Sequence, residues 1–177
     1  MKNFLPAILV PLSVLLAGCN TWILENPDPG EPCVNIDPAA MPGGIWLGMK
    51  PKDARRILGD PLREVLLDFT GSGSSLTRLR YEGFMLESSD RAGNKIGLFE
   101  WTKPGTGPNS ELLLGGPEPR IPHHTIVYRW AMDGSRSEEI PTVAGCRRPD
   151  QPRLRIVYFV KDGKIDSVDA RTWTYPY

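Results

Sequence analysis

The residues best suited to chemistry in this chain are few. They are three cysteines, the adjacent histidines His123 and His124, a Gly71-Ser72-Gly73-Ser74-Ser75 run, and scattered carboxylates and arginines. Neighbouring side chains in an extended segment point to opposite faces, so His123 and His124 make a poor joint metal site. No Cys-x-x-Cys spacing exists either, and neither a metal nor a cofactor is expected. The Gly-Ser run matches neither a nucleophile elbow nor a phosphate-cradling loop and reads as a flexible turn. Asp166 and Asp169, three apart on one predicted strand, face opposite sides and do not form a paired-carboxylate site. No catalytic residue stands out, so the chain reads as non-enzymatic. The arginines are the better functional candidates. Arg78, Arg80, Arg129, Arg153 and Arg155 alternate with apolar residues on three predicted strands. If those strands are neighbours, the arginines line the sheet's outer face, where they can meet an acidic protein surface or lipid headgroups; a plain solvated face is the alternative.

The cysteines have to be read together with the N-terminus. Met1-Lys2-Asn3 supplies a short positive region, and Phe4 to Leu16 is uncharged and mostly apolar but too short to span a bilayer. Residues 1–18 therefore read as a signal peptide, in which Pro6 and Pro11 depart from the usual leucine-rich pattern. Leu16-Ala17-Gly18-Cys19 resembles the lipobox of bacterial lipoproteins, in which the cysteine thiol receives a diacylglyceryl group before cleavage. The resemblance implies lipidation of Cys19 and a membrane anchor. Two or three acyl chains hold stably because each buried methylene adds about 0.8 kcal/mol. Asn20, rather than Asp, follows the cysteine, which by the sorting rule of such lipoproteins favours the periplasmic side of the outer membrane, with the inner membrane as the alternative. Cys33 and Cys146 then remain in a chain bound for an oxidising compartment, and an even pair is most simply read as one bridge. Two free thiols or an intermolecular bond are the alternatives.

Composition narrows the rest. Lys+Arg and Asp+Glu stand at 21 each over 177 residues, so no basic field exists to attract nucleic acid. Gly and Pro, at 18 each, favour loops and β-structure over long helices. Residues 19–43, rich in proline, read as an extended semi-rigid tether, and 44–177 as a single small domain. Within it, Pro51 to Leu58 is a predicted helix that Gly59 and Pro61 stop. Ala54, Ile57 and Leu58 form its apolar stripe. Strands are expected over 63–69, 76–86, 95–101, 125–132, 153–160 and 164–173. The loops between them are 102–122 and 135–151. Asp162-Gly163 between two alternating runs predicts a tight hairpin. The fold class expected is α+β: a short N-terminal helix packed on an antiparallel β-meander, in two layers.

The stretch GMKPKDARRILGDP, a strand containing LRYEGF, and the closing hairpin IVYFVKDGKIDSV resemble the SmpA/OmlA (BamE-like) lipoproteins. Gly48-Met49, Leu58-Gly59-Asp60-Pro61 and Asp162-Gly163-Lys164 occupy the helix start, helix stop and terminal turn of that pattern. The likeness covers about a third of the chain, and the segments 88–95, 102–122 and 135–151 are longer than in small family members. The resemblance implies a protein-binding role in outer-membrane assembly or envelope maintenance, with envelope proteins as partners. The same fold also serves a β-lactamase-inhibitor type, which implies as the alternative a lipid-anchored inhibitor or ligand-binding domain using the open sheet face.

Overall fold

Among the described residues α-helix is confined to Pro51–Leu58, between a proline and a glycine, and most of the others lie in strands. A computed structural model describes residues 33–69, 74–90, 93–121, 124–129, 137–146 and 152–172. The helix α1 spans Pro51–Leu58, with Pro51 in its first turn and Gly59 past its end at φ 81°. The Gly59 N–H donates to the Arg55 carbonyl at 2.8 Å. Lys50 caps the start without a side-chain bond, and Asp53 in the first turn favours the positive end of the helix dipole.

Among the described residues nine strands form one mixed sheet. They are β1 (Cys33–Val34), β2 (Arg63–Phe69), β3 (Ser74–Tyr81), β4 (Phe84–Ser89), β5 (Lys95–Trp101), β6 (His124–Arg129), β7 (Ser137–Gly145), β8 (Leu154–Lys161) and β9 (Lys164–Thr172). Their order is β1-β7-β8-β9-β5-β4-β3-β2, with β6 paired to β7 off that path. Only β1 and β7 run parallel. The architecture is thus closer to all-β than to the α+β class the sequence led us to expect, and the sheet is not a simple meander. Two hairpin runs, β2 to β5 and β7 to β9, meet through the antiparallel pair β5–β9. Two turns explain much of the local order. Asp162 and Gly163 both take positive φ, 53° and 70°, as a two-residue hairpin turn requires. Glu82-Gly83, with Gly83 at φ 84°, breaks what reads as one strand over 76–86 into β3 and β4.

One face of the sheet carries the core. Leu79, Leu86, Phe99, Ile156, Val168 and Ala170 are almost fully buried there. Tyr81, Phe84, Phe99 and Trp101 pack against one another in sequence across three strands, β3, β4 and β5, with ring centroids 4.7–5.1 Å apart. Polar ends of this ladder tie in the covering layer. Trp101 Nε1–H donates to the Ala40 carbonyl at 3.1 Å, and the Tyr81 hydroxyl donates to the Gly59 carbonyl at 3.3 Å. Ala54 faces this core, whereas Ile57, placed in the same apolar stripe by the sequence pattern, is 41% exposed. Two single-turn 3-10 helices (Pro38–Ala40 and Pro42–Gly44) and the 102–121 segment complete the layer. That segment is well tied despite its Pro/Gly content. Gly105 N–H donates to Leu114, Gly115 N–H to Ile165, and Ile165 N–H back to Gly116, each at 2.8 Å.

Cys33 and Cys146 are bonded, with Cα atoms 4.9 Å apart. The bridge sits beside β1, where Cys33 pairs with Ala144 and the Cys146 N–H donates to the Val34 carbonyl at 2.9 Å. Val34 and Met41 are buried in the core, so packing begins at residues next to the bridge.

Candidate interaction edge and the buried charges

Strand β2 is the last strand of its side of the sheet, and its exposed side can be specified residue by residue. Tyr81 and Phe84 face each other across the two-residue turn, so the backbone groups of Tyr81 and Leu79 point to β4. The Gly83 carbonyl, one residue on, accepts from Thr102 on the β5 side at 2.9 Å, as that alternation requires. Arg80 and Arg78 therefore bond to β2 opposite Arg63 and Val65. It follows that the N–H and C=O groups of Glu64, Leu66 and Asp68 point away from the sheet. Among the described residues no strand pairs with that side. Large apolar side chains stand exposed here: Leu62 is 76% and Leu66 66% accessible. The Arg55 guanidinium donates to Glu64, fastening α1 to the strand.

The other face of β2 and β3 is basic. Arg63 and Arg80 are directly opposite each other and both exposed, a pairing of like charges that costs stability in isolation. Arg78, one row along on that face, is half exposed and held to Glu87 at 3.1 Å. Farther in, the same face closes over. Leu98, Val157 and Thr142 are buried, and so are Asp169 and Arg155. Arg171 grips Asp169 with two bonds, of 2.6 and 2.7 Å. Burial, more than any neighbour, raises the Asp169 carboxyl above its ordinary value against the pull of Arg171 and Arg155. Glu100 stands directly opposite Asp169 across β5–β9. Burial raises its pKa too, and the charges of Asp169 and Glu87 push the same way.

The arginines expected on one outer face are thus divided. Arg80 is exposed, Arg78 is paired, and Arg153 is exposed just before β8. Arg155 shares the face of Arg78 but lies four strands away, roughly 19 Å at the usual strand spacing. Contrary to the expectation of a solvated position, it is fully enclosed. Alternation places a residue on a face; it does not tell whether that face is covered. Arg129 lies in β6 opposite Ser137, and its side chain, like Cys19 and His123, falls outside the described residues. Two residues escaped the sequence pattern. Arg63 sits in a run without clean alternation, and Glu100 meets Asp169 only because β5 lies next to β9.

On the core side a cleft of about 570 Å³ opens between the 3-10 turns and the 103–113 loop, lined by Asp37, Glu82, Lys103 and Asn109 beside Trp101. Among the described residues no cluster of three His, Cys, Asp or Glu side chains could hold a metal ion, and no helix is long and apolar enough to cross a membrane. No family model, curated protein or solved structure matches the chain.

Proposed function

We propose that the chain is a membrane-anchored periplasmic lipoprotein, lipidated on Cys19, that acts as a non-enzymatic protein-binding module in outer-membrane or envelope assembly or maintenance. The observation that carries protein binding is the outer side of β2, which no strand among the described residues pairs and where backbone donors and acceptors stand beside exposed Leu62 and Leu66. Unpaired strand edges are templates for another chain, and natural proteins normally keep them short, charged or covered. The Cys33–Cys146 bridge supports an oxidising compartment, and the lipobox-like Leu16-Ala17-Gly18-Cys19 supports the anchor. The SmpA/OmlA-like punctuation of the helix and last hairpin supports the envelope role.

Affinity purification after crosslinking in cells tests this reading. Envelope proteins should co-purify with the wild-type chain. Recovery of a soluble enzyme or a small ligand as the main partner would refute it. The latter result would favour a second reading, a lipid-anchored ligand-binding domain, for which the cleft beside Trp101 is the supporting observation.

A further inference from the structure

Resting on the reading of the chain as a protein-binding module, we infer that β2 accepts an extended acidic segment of a partner protein as an added strand. The incoming strand alternates, with carboxylates on the face of Arg63 and Arg80 and apolar side chains on the face of Leu66.

Three features specify that occupant. The outward N–H and C=O groups of Glu64, Leu66 and Asp68 offer a ladder to any extended backbone, which supplies affinity without sequence preference. Leu66, on the same face as Glu64, then needs an apolar neighbour to cover a side chain that is 66% exposed. On the opposite face, Arg63 and Arg80 are two guanidinium groups side by side with no ion pair to either among the described residues. Arg78 beside them is already neutralised by Glu87. A carboxylate from a strand added next to Arg63 relieves that repulsion and gains a charge-assisted bond.

A second copy of this chain does not supply it. Twofold antiparallel pairing of β2 with itself keeps each face on its own side, and the residues sharing the Arg63 face are Val65 and Leu67, neither acidic. Anionic lipid headgroups would meet the arginines but would leave the backbone ladder unpaired.

The test uses the full-length protein in detergent and two labelled eight-residue peptides, one alternating Val and Glu, the other Val and Lys. The Val/Glu peptide should bind, and the Val/Lys peptide should bind roughly tenfold more weakly or not at all. The double variant Arg63→Glu/Arg80→Glu should reverse that order, while Arg63→Gln/Arg80→Gln should abolish the preference with the fold intact. On binding, hydrogen exchange should slow at the Glu64, Leu66 and Asp68 amides. Equal binding of both peptides, absent protection at those amides, or dimerisation through β2 overturns the inference. So does arginine-dependent binding to phosphatidylglycerol vesicles without peptide binding. If the peptides fail while crosslinking in cells still captures an envelope protein, β2 docking falls and the module reading stands. If the peptide binds but no envelope protein is captured, the module reading falls.

Discussion

Arg171 and Asp169 show how costly a single side chain is on the closed part of the second sheet face. Their bidentate bond joins a buried Asp169 to an Arg171 side chain that is 15% exposed, so removing Arg171 takes a bonded partner from a buried carboxyl. Arg171→Met should destabilise the fold by about 3–5 kcal/mol in chemical denaturation, whereas Asp169→Val/Arg171→Met should recover only part of that loss, because Asp169 also faces the fully buried Arg155. Equal losses in the single and double variants would show that the pair is not the unit. Glu100 gives a pH-dependent counterpart. Its folded-state pKa is raised, so the native state holds a proton that the unfolded chain has already released. Stability from this group is present at and below the ordinary carboxylate range and is lost as pH rises through the folded value. Glu100→Gln should therefore flatten the fall in stability between mildly acidic and neutral pH and raise stability at neutral pH. A wild-type profile identical to that of the variant would contradict the assignment.

At the scale of elements, the bridge between Cys33 and Cys146 spans 113 residues of sequence. A closed loop of that length contributes about 4–5 kcal/mol through the unfolded chain. Cys33→Ala/Cys146→Ala should lower unfolding stability by up to that amount, and a loss under about 1 kcal/mol would mean that β1 contributes little. The 102–121 segment offers a sharper contrast. A Cβ on Gly107 would lie 1.7 Å from the Leu112 carbonyl oxygen, while a Cβ on Gly105 meets nothing within 4 Å. Gly107→Ala should cost about 2–4 kcal/mol by forcing the backbone apart. Gly105→Ala should cost only about 1–2 kcal/mol, through its positive φ of 79°. Thermal unfolding of the two variants separates the mechanisms.

These elements also show which parts of the fold were legible in the residues. Pro51 and Gly59 mark the helix and Asp162-Gly163 the last hairpin because backbone constraint is local. The cysteine pair was legible from count and compartment. Strand β7 was not, because Pro141 and the charged Glu138-Glu139 pair hide a segment whose partners β6 and β8 lie elsewhere in the sequence. The pairing of β5 with β9, and with it the Glu100–Asp169 proximity, depends on that same long-range assembly. Arg80 was legible as an exposed arginine on a strand. Its partner Arg63 was not, because REVLLD gives no clean two-residue period and only strand register places the two together.

Over the whole molecule, the proposed anchor lies at one end of a proline-rich segment, and the bridge joins that segment to the sheet at β7. Strand β2 ends the sheet on the side away from β1, so the candidate docking edge and the stapled end of the chain are at opposite limits of the strand order. A partner could thus reach β2 without displacing the packing around the bridge. Cys19→Ala should shift the protein from membrane to soluble fractions and abolish lipid labelling without changing its unfolding stability. Retention on membranes would contradict the anchor.

The most direct test of protein binding at this edge is site-specific photocrosslinking in cells, with a crosslinking side chain in place of Leu66 and a control in place of exposed Asp166. The Leu66 position should give a discrete adduct with an envelope protein in the membrane fraction, and the adduct should be lost in Arg63→Glu/Arg80→Glu. No adduct at Leu66, or the same adduct from Asp166, would contradict a partner-binding edge at β2.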